Sequence, residues 1–180
     1  WRENTPNRSR GVRITVSTSC FVPKSHTPFQ WEAQNTQEEY LRKVTLLREH
    51  MRNKSITYNW HDPETSYLEA VLSRGDRRIA DVIEEAWRHG AKFDSWSEYF
   101  NLQTWLTAME TCGVSPAFYA NRVREKDEIL PWHVISDGVK ESYLWRERET
   151  AYAGKITPDC KVKCSGCGAN KLCKGGICHG

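Results

Sequence analysis

The chain has 180 residues, which is enough for one domain with a hydrophobic core, alone or with a small module. Its 38% hydrophobic and 11% aromatic content excludes a disordered chain, and its net charge of +3 is too small to indicate nucleic-acid binding by itself. The sequence has no apolar run of about 18 residues and no apolar signal core, so we expect a cytoplasmic protein without a membrane span. Clustered cysteines in such a protein indicate metal binding before disulfides.

A strand–helix–strand unit is predicted in the first third of the chain. The alternating, β-branched run at residues 12–22 predicts a strand with one buried face, followed by a proline-interrupted loop. Thr36 and Glu39 form a capping box that opens a helix, and residues 55–60 predict a second strand. This order implies a parallel sheet, and a parallel sheet needs cover on both faces. Either the helices cover it, or further strands precede residue 1.

Four helices are predicted after the second strand, and each ends at or just before a glycine: residues 63–75, 76–90, 95–113 and 138–153. We expect Asp62 to cap the first helix and Asp76 to begin the second. Ser95 and Glu98 form a second capping box, which opens the third helix. The tryptophan-rich faces of these helices are interpreted as core packing.

The last 26 residues, 155–180, have the composition of a metal-binding tail. Cys160, Cys164 and Cys167 are spaced C-x3-C-x2-C, and Cys173 and Cys178 are available to complete a set of four thiolates. The glycine after Cys167 suits a positive φ in a tight metal-binding turn. The tail has no apolar period, so we expect that only a metal folds it. Zinc and an iron–sulfur cluster both take four thiolates, and the choice between them stays open.

The fourth ligand of this site also stays open. Cys173 is the first choice and Cys178 the second, with His179 as a weaker candidate. From Cys164 onward the spacing C-x2-C-x5-C-x4-C is also close to that of a zinc knuckle that binds nucleic acid. Such knuckles stack bases on aromatic side chains, and residues 155–180 contain none, although their five lysines would attract phosphate.

Two further stretches carry alternatives. Arginines in "SRGDRRI" (residues 73–79) flank a helix start and would suit an anion, or they form surface ion pairs at an ordinary helix–helix turn. His61 beside Asp62 would suit an oriented base, although Asp62 is more simply a cap. In "FVPKSHTPFQW" (residues 21–31), Lys24 or His26 would contact a carboxylate or phosphate, or the stretch is a proline-stiffened linker whose Phe29 and Trp31 anchor the helical extension.

The stretch "SCFVPKSHTPFQWEAQ" (residues 19–34) resembles the last part of the barrel of radical S-adenosylmethionine (SAM) enzymes. More narrowly, it is similar to a group of uncharacterised radical SAM proteins that carry an N-terminal cobalamin-binding domain. Four further stretches match that group in the same order: "LEAVLSRGDRRI" (68–79), "FDSW" (93–96), "LPW" (130–132) and "TPDC" (157–160).

The resemblance implies a mostly helical α/β fold with three parts. Residues 1–60 would be the late βαβ portion of a partial (β/α) barrel, residues 61–154 a helical extension, and residues 155–180 the cysteine-rich metal tail. It also implies that the backbone at Phe21 and Val22, with Lys24 and His26, contacts SAM or substrate at the barrel mouth. The full-length enzyme would use SAM and a 4Fe–4S cluster, and in this group cobalamin.

One departure from the family matters for activity. The family binds its catalytic cluster through a C-x3-C-x2-C after the first barrel strand, whereas this chain has only Cys20 in its first hundred residues. The resemblance therefore places the catalytic cluster and most of the barrel upstream of this chain, which also lacks an initiator methionine. The catalytic residues are unknown, and we expect the isolated chain to be inert. Its first partner would be the N-terminal part of the same protein, and its substrate RNA or a protein.

Overall fold

The computed structural model describes residues 12–171. In chain order its elements are β1 (Ile14–Thr18), α1 (Gln37–His50), β2 (Ile56–Trp60), α2 (Pro63–Arg74), α3 (Ile79–Arg88), α4 (Leu102–Thr111), α5 (Pro116–Ala120) and α6 (Glu141–Tyr152), with a single 3₁₀ turn at Ala169–Lys171. The fold is thus α/β and mostly helical, as predicted. Over these residues, no helix is both long enough and apolar enough to cross a membrane.

The predicted βαβ unit is present, with β1 and β2 paired in parallel from Ile14 opposite Ile56 to Thr18 opposite Trp60. Neither strand contains a buried residue, and Ile14 is 49% exposed. The prediction that β1 has one buried face is therefore wrong for the described residues. The physical reason is that helices α1–α6 leave both faces of this pair largely uncovered, so the side chains of β1 and β2 are not buried in a hydrophobic core.

The main hydrophobic core lies between α2, α3, α4 and α5. Its central buried side chains come from all four helices: Leu68, Val71, Val82, Trp105, Met109 and Tyr119. The caps follow the sequence: the Asp62 side chain accepts from Thr65 N at 2.8 Å, and Thr36 Oγ1 accepts from Glu39 N at 3.2 Å. The other half of the Thr36 capping box is missing, because the Glu39 carboxylate binds Arg42 instead.

A second, smaller core fixes the loop after β1 to the C-terminal half of the described chain. Trp31 is completely buried there, against Leu130, Trp132 and Leu144. Its ring meets Trp145 of α6 edge to face, with 5.0 Å between the ring centroids. Trp31 therefore anchors the loop at residues 21–31 to the helical part of the chain, as the linker interpretation predicts, and Val22 packs the same loop against the main core.

Two predicted helix starts are wrong. Helix α3 begins at Ile79 and not at Asp76, because the Asp76 carboxylate accepts from the backbone of Arg78 and holds a turn before the helix. The capping box at Ser95 opens no helix, since residues 94–98 form turns and α4 begins at Leu102 with Asn101 as its cap. Helix α5 was not predicted, although Ser115 and a following proline form its start.

The interpretation of every tryptophan-rich face as core is also wrong. Trp105 is buried as expected, but Trp87, Trp96 and Tyr99 are each about 60% exposed. Phe93 beside them is exposed as well and has a φ of 58°. Since residues 94–98 do not continue α4, the side chains at 96 and 99 lose the helical register that would have directed them inward.

Candidate functional site

Three stretches that are far apart in sequence meet at one cleft. A groove of about 900 Å³ lies between the α2–α3 turn, residues 73–78, and residues 131–135, with Ser25 at its edge. A cavity of about 150 Å³ adjoins it and includes His26, Gln30, Asp137 and Glu141. Trp132 and Ile135 line both, so "FVPKSHTPFQW", "SRGDRRI" and "LPW" form walls of the same cleft.

The four residues predicted to contact SAM or substrate, Phe21 and Val22 through their backbone and Lys24 and His26 through their side chains, do not converge on that cleft. Only His26 lines it. Lys24 pairs with Glu69 and faces a different groove. Val22 packs against the main core, and Phe21 is half exposed with its ring 6.1 Å from that of Phe29. A shared role for these four residues therefore stays a prediction that would require further parts of the protein.

Gln30 organises the smaller cavity from a buried position. It is 3% exposed, and its Oε1 accepts from the His26 backbone N at 2.9 Å and from Trp132 Nε1 at 2.8 Å. These bonds hold His26 in a left-handed conformation, with a φ of 56°. The imidazole Nδ1 then lies 3.9 Å from Asp137 Oδ2, on the opposite wall. The amide thus links the loop after β1 to the segment before α6.

The α2–α3 turn places charged groups along the larger groove. Asp76 and Arg78 form an ion pair with a shortest N–O distance of 2.6 Å, and this hydrogen bond to Arg78 holds the pKa of Asp76 well below its usual range. Burial and the neighbouring Asp76 carboxylate raise the pKa of Tyr119. Arg77 is exposed on the groove wall and has no carboxylate within ion-pair distance in the part of the chain that the structure describes. The ion-pair interpretation of "SRGDRRI" is thus confirmed for Arg78, whereas anion binding by this stretch stays a prediction.

Two buried arginines lie behind this turn. Arg74 donates from Nη1 to the backbone oxygens of Glu32, at 2.5 Å, and Ala120, at 3.4 Å. Arg124 donates from Nη2 to Arg74 O at 2.8 Å, and its guanidinium lies 5.1 Å from the centre of the Trp132 ring. Both are at most 2% exposed, and Nε of each, with Nη2 of Arg74, has no hydrogen-bond partner among the described residues. Burial, followed by the like charge of Arg124, lowers the pKa of Arg74 to about 10.

The cysteine tail begins beside the same cleft. Lys140 N donates to Cys167 O at 2.8 Å, and Arg146 Nη2 donates to Ser165 O at 2.6 Å, so the turn is fixed to α6 and to the segment before it. Gly166 and Gly168 have φ values of 74° and 100°, which confirms the positive φ expected after Cys167. A Cβ on Gly168 would lie 3.1 Å from Gly138 O, so this close approach also requires glycine.

The described part of the tail does not by itself form a metal centre. Cys160 is exposed, and Cys164 and Cys167 are half-buried free thiols. Within residues 12–171, no three His, Cys, Asp or Glu side chains are placed so that they could hold one metal ion. Cys173 and Cys178, the predicted further ligands, lie outside the described residues, as does His179. In the turn at residues 164–168, Gly166 and Gly168 both have the positive φ of a tight turn, and metal binding there stays a prediction.

No protein-family model, curated protein or solved structure matches this chain. The function must therefore be argued from the residues and their geometry.

Sequence reasoning missed the parts of the site that are defined by burial. Arg74, Arg124 and Gln30 are buried, although side chains of these types are usually exposed. The one available signal for Gln30 was its position beside Trp31 in an aromatic stretch with two prolines. The buried arginines had no signal of this kind, because their hydrogen bonds go to backbone oxygens of other segments.

Proposed function

We propose that this chain is the C-terminal part of a radical SAM enzyme of the type that carries a cobalamin-binding domain. The observation that supports this most strongly is the parallel β1–β2 pair with largely exposed faces. Parallel sheets are stable when both faces are covered and more strands are present. A two-stranded parallel remnant is what the end of a (β/α) barrel would look like without its earlier strands. Those strands, from the N-terminal part of the protein, would be the chain's first partner.

The position of the cleft is consistent with this proposal. Active sites of (β/α) barrels lie beyond the carboxyl ends of the strands. The chain leaves the carboxyl end of β1 at Thr18 and runs directly into residues 21–31, which bound the cleft through Ser25, His26 and Gln30. In the complete enzyme we propose that this loop and the helical extension form the outer wall of the substrate pocket and exclude water from it.

The chemistry of the complete enzyme would come from groups bound upstream of this chain. Cysteines upstream of this chain would hold a 4Fe–4S cluster, which together with SAM would supply radical chemistry at the substrate. In our proposal the residues of this chain would bind and orient the substrate.

We further propose that the tail binds an accessory metal through Cys160, Cys164 and Cys167, with Cys173 or, failing that, Cys178 as the remaining ligand. The fixed turn at residues 164–168 supports two of these ligands directly. Lysines in the tail would offset part of the negative charge of a four-thiolate site. The metal would be zinc or an iron–sulfur cluster, since both accept this ligand set.

One observation favours a second candidate function, a non-catalytic helical module whose zinc knuckle accompanies binding of RNA or a protein. The exposed aromatic side chains at Trp87, Phe93, Trp96 and Tyr99 are of the kind that stack on bases or anchor protein partners. In such a module the chain would act without SAM. The two functions differ in whether the protein cleaves SAM.

The test uses a protein extended through the coding sequence upstream of residue 1, produced without oxygen. We expect it to bind iron, to absorb near about 400 nm and to convert SAM to 5′-deoxyadenosine after reduction, whereas the 180-residue chain alone should not cleave SAM. An extended protein that binds no iron and leaves SAM intact would exclude the enzyme and favour the module. Metal analysis of the 180-residue chain then tests the tail separately, because binding of neither zinc nor iron would refute the accessory site.

A further inference from the structure

We propose that the groove between residues 73–78 and 131–135 binds an aromatic phosphate ester, with the phosphate at Arg77 and the ring against residues 132–135. The inference stands on the geometry of this groove and does not require the chain to belong to a radical SAM enzyme. It would define the substrate class if the chain does.

The first argument is the uncompensated positive charge around the groove. The Asp76 carboxylate forms an ion pair with Arg78. The Glu128 carboxylate forms an ion pair with Arg122, with 2.5 Å between Oε1 and Nη2. Each of these acids is therefore matched by an arginine of its own. Three guanidinium groups near the turn remain without a carboxylate within ion-pair distance among residues 12–171: Arg74, Arg77 and Arg124.

The second argument is where those charges lie. Arg74 and Arg124 are removed from water, so their field is screened weakly and acts through the protein toward the groove beside them. Arg77, in contrast, is exposed at the groove wall, where a ligand reaches it. The α3 N-terminus adds little, because the Asp76 side chain and backbone already accept from its first N–H groups. The site thus depends on one accessible guanidinium and on two buried ones that strengthen its potential.

The third argument is the opposite wall. Val134 is 90% exposed and Ile135 is 64% exposed, and both line the groove beside the edge of Trp132. Exposed aliphatic side chains next to an aromatic ring gain free energy when a flat apolar group covers them. Ser25 and Ser73 also line the groove. Their hydroxyl groups can donate to phosphate oxygens.

A phosphate ester fits this combination better than a simple carboxylate. A guanidinium binds two phosphate oxygens side by side, and a third oxygen remains for a serine hydroxyl. At about 900 Å³ the groove is large enough for a phosphate and an attached ring system together. The expected ligand is therefore amphipathic, with its dianion at the α2–α3 turn and its ring over Val134 and Ile135.

The test measures binding of phenyl phosphate to the 180-residue chain. Inorganic phosphate and phenol, which correspond to the two halves of phenyl phosphate, are measured for comparison. We expect phenyl phosphate to bind more tightly than either half and to shift the backbone NMR signals of residues 75–78 and 133–135. Arg77→Gln should weaken binding by about tenfold, since it removes one charge-assisted pair of hydrogen bonds. Ile135→Ser should weaken phenyl phosphate binding and leave phosphate binding unchanged.

The matched control is Arg88→Gln, which removes the same charge from an exposed arginine at the far end of α3. It should leave phenyl phosphate binding unchanged. Equal losses in Arg77→Gln and Arg88→Gln would show attraction by net charge alone and overturn the site. Shifts confined to other residues, or no saturable binding of phenyl phosphate, would overturn it as well. Both positions are exposed, so circular dichroism should show the same fold in both variants.

Discussion

Gly75 sits at the turn that forms one wall of the cleft, and its replacement by alanine tests the packing of that turn. A Cβ at this position would lie 2.2 Å from Ile79 Cγ1 and 3.0 Å from Val71 O. The first distance is far below van der Waals contact, so Ile79 must move. The backbone is not the obstacle, because a φ of −71° and a ψ of 162° suit any residue.

The expected cost follows from where Ile79 would have to go. Its side chain is 5% exposed and packs in the main core, so displacement overpacks that core at a cost of about 1–3 kcal/mol. Alanine also restricts the unfolded chain, which offsets about 0.4–1 kcal/mol of this. We therefore expect Gly75→Ala to lower the free energy of unfolding by about 1–2 kcal/mol, measured by urea titration with far-ultraviolet circular dichroism.

A double-mutant cycle isolates the clash. Ile79→Ala alone should cost about 2–4 kcal/mol, because it leaves a cavity in the core. In that background the Ile79 atoms that meet the new Cβ are gone and only the 3.0 Å contact with Val71 O remains, so adding Gly75→Ala should cost much less than it does in the unchanged chain. The reasoning is refuted if the two costs add, or if Gly75→Ala leaves the stability of the otherwise unchanged chain as it was.

Three further predictions concern an ion pair, a cap and the metal tail. The hydrogen bond to Arg122 lowers the pKa of Glu128, so this carboxylate stabilises the fold above its unfolded pKa of about 4.5 and the benefit is lost as the pH falls. Glu128→Gln should therefore cost about 1 kcal/mol at pH 7 and progressively less in acid, and a deficit independent of pH would contradict this. Asp62→Ala removes the N-cap of α2 and should lower the free energy of unfolding by about 1 kcal/mol in urea titrations. An unchanged midpoint would show that the cap does not stabilise the fold. Cys164→Ser should abolish metal binding in elemental analysis and Cys112→Ser should not, so equal metal content in the two variants would exclude the proposed ligand set.

Most of the local structure could be predicted from the sequence, because it depends on neighbouring residues. The cap at Asp62 with the following proline, the end of α2 at Gly75 and the positive φ of Gly168 each follow from one or two side chains. The start of α3 failed for the opposite reason. Asp76 has the residue type of a cap, but its carboxylate bonds two residues ahead and delays the helix until Ile79.

The cleft was much less predictable than the helices around it. The stretches that form it were singled out one by one, but nothing in the sequence indicated that residues 25–30, 73–78 and 130–137 meet. Their meeting depends on the small core around Trp31 and on the buried arginines, whose partners are backbone oxygens. Backbone acceptors carry no sequence signal, since every residue offers one.

Our proposal that the chain belongs to a larger protein depends on the exposed β1–β2 pair, and the reading frame upstream of the codon for Trp1 tests that proposal most directly. We predict that sequencing the coding DNA will find an in-frame C-x3-C-x2-C after a predicted strand, followed by further strand–helix units that would extend the parallel sheet up to β1. A stop codon followed by an independent start just before Trp1 would contradict the account.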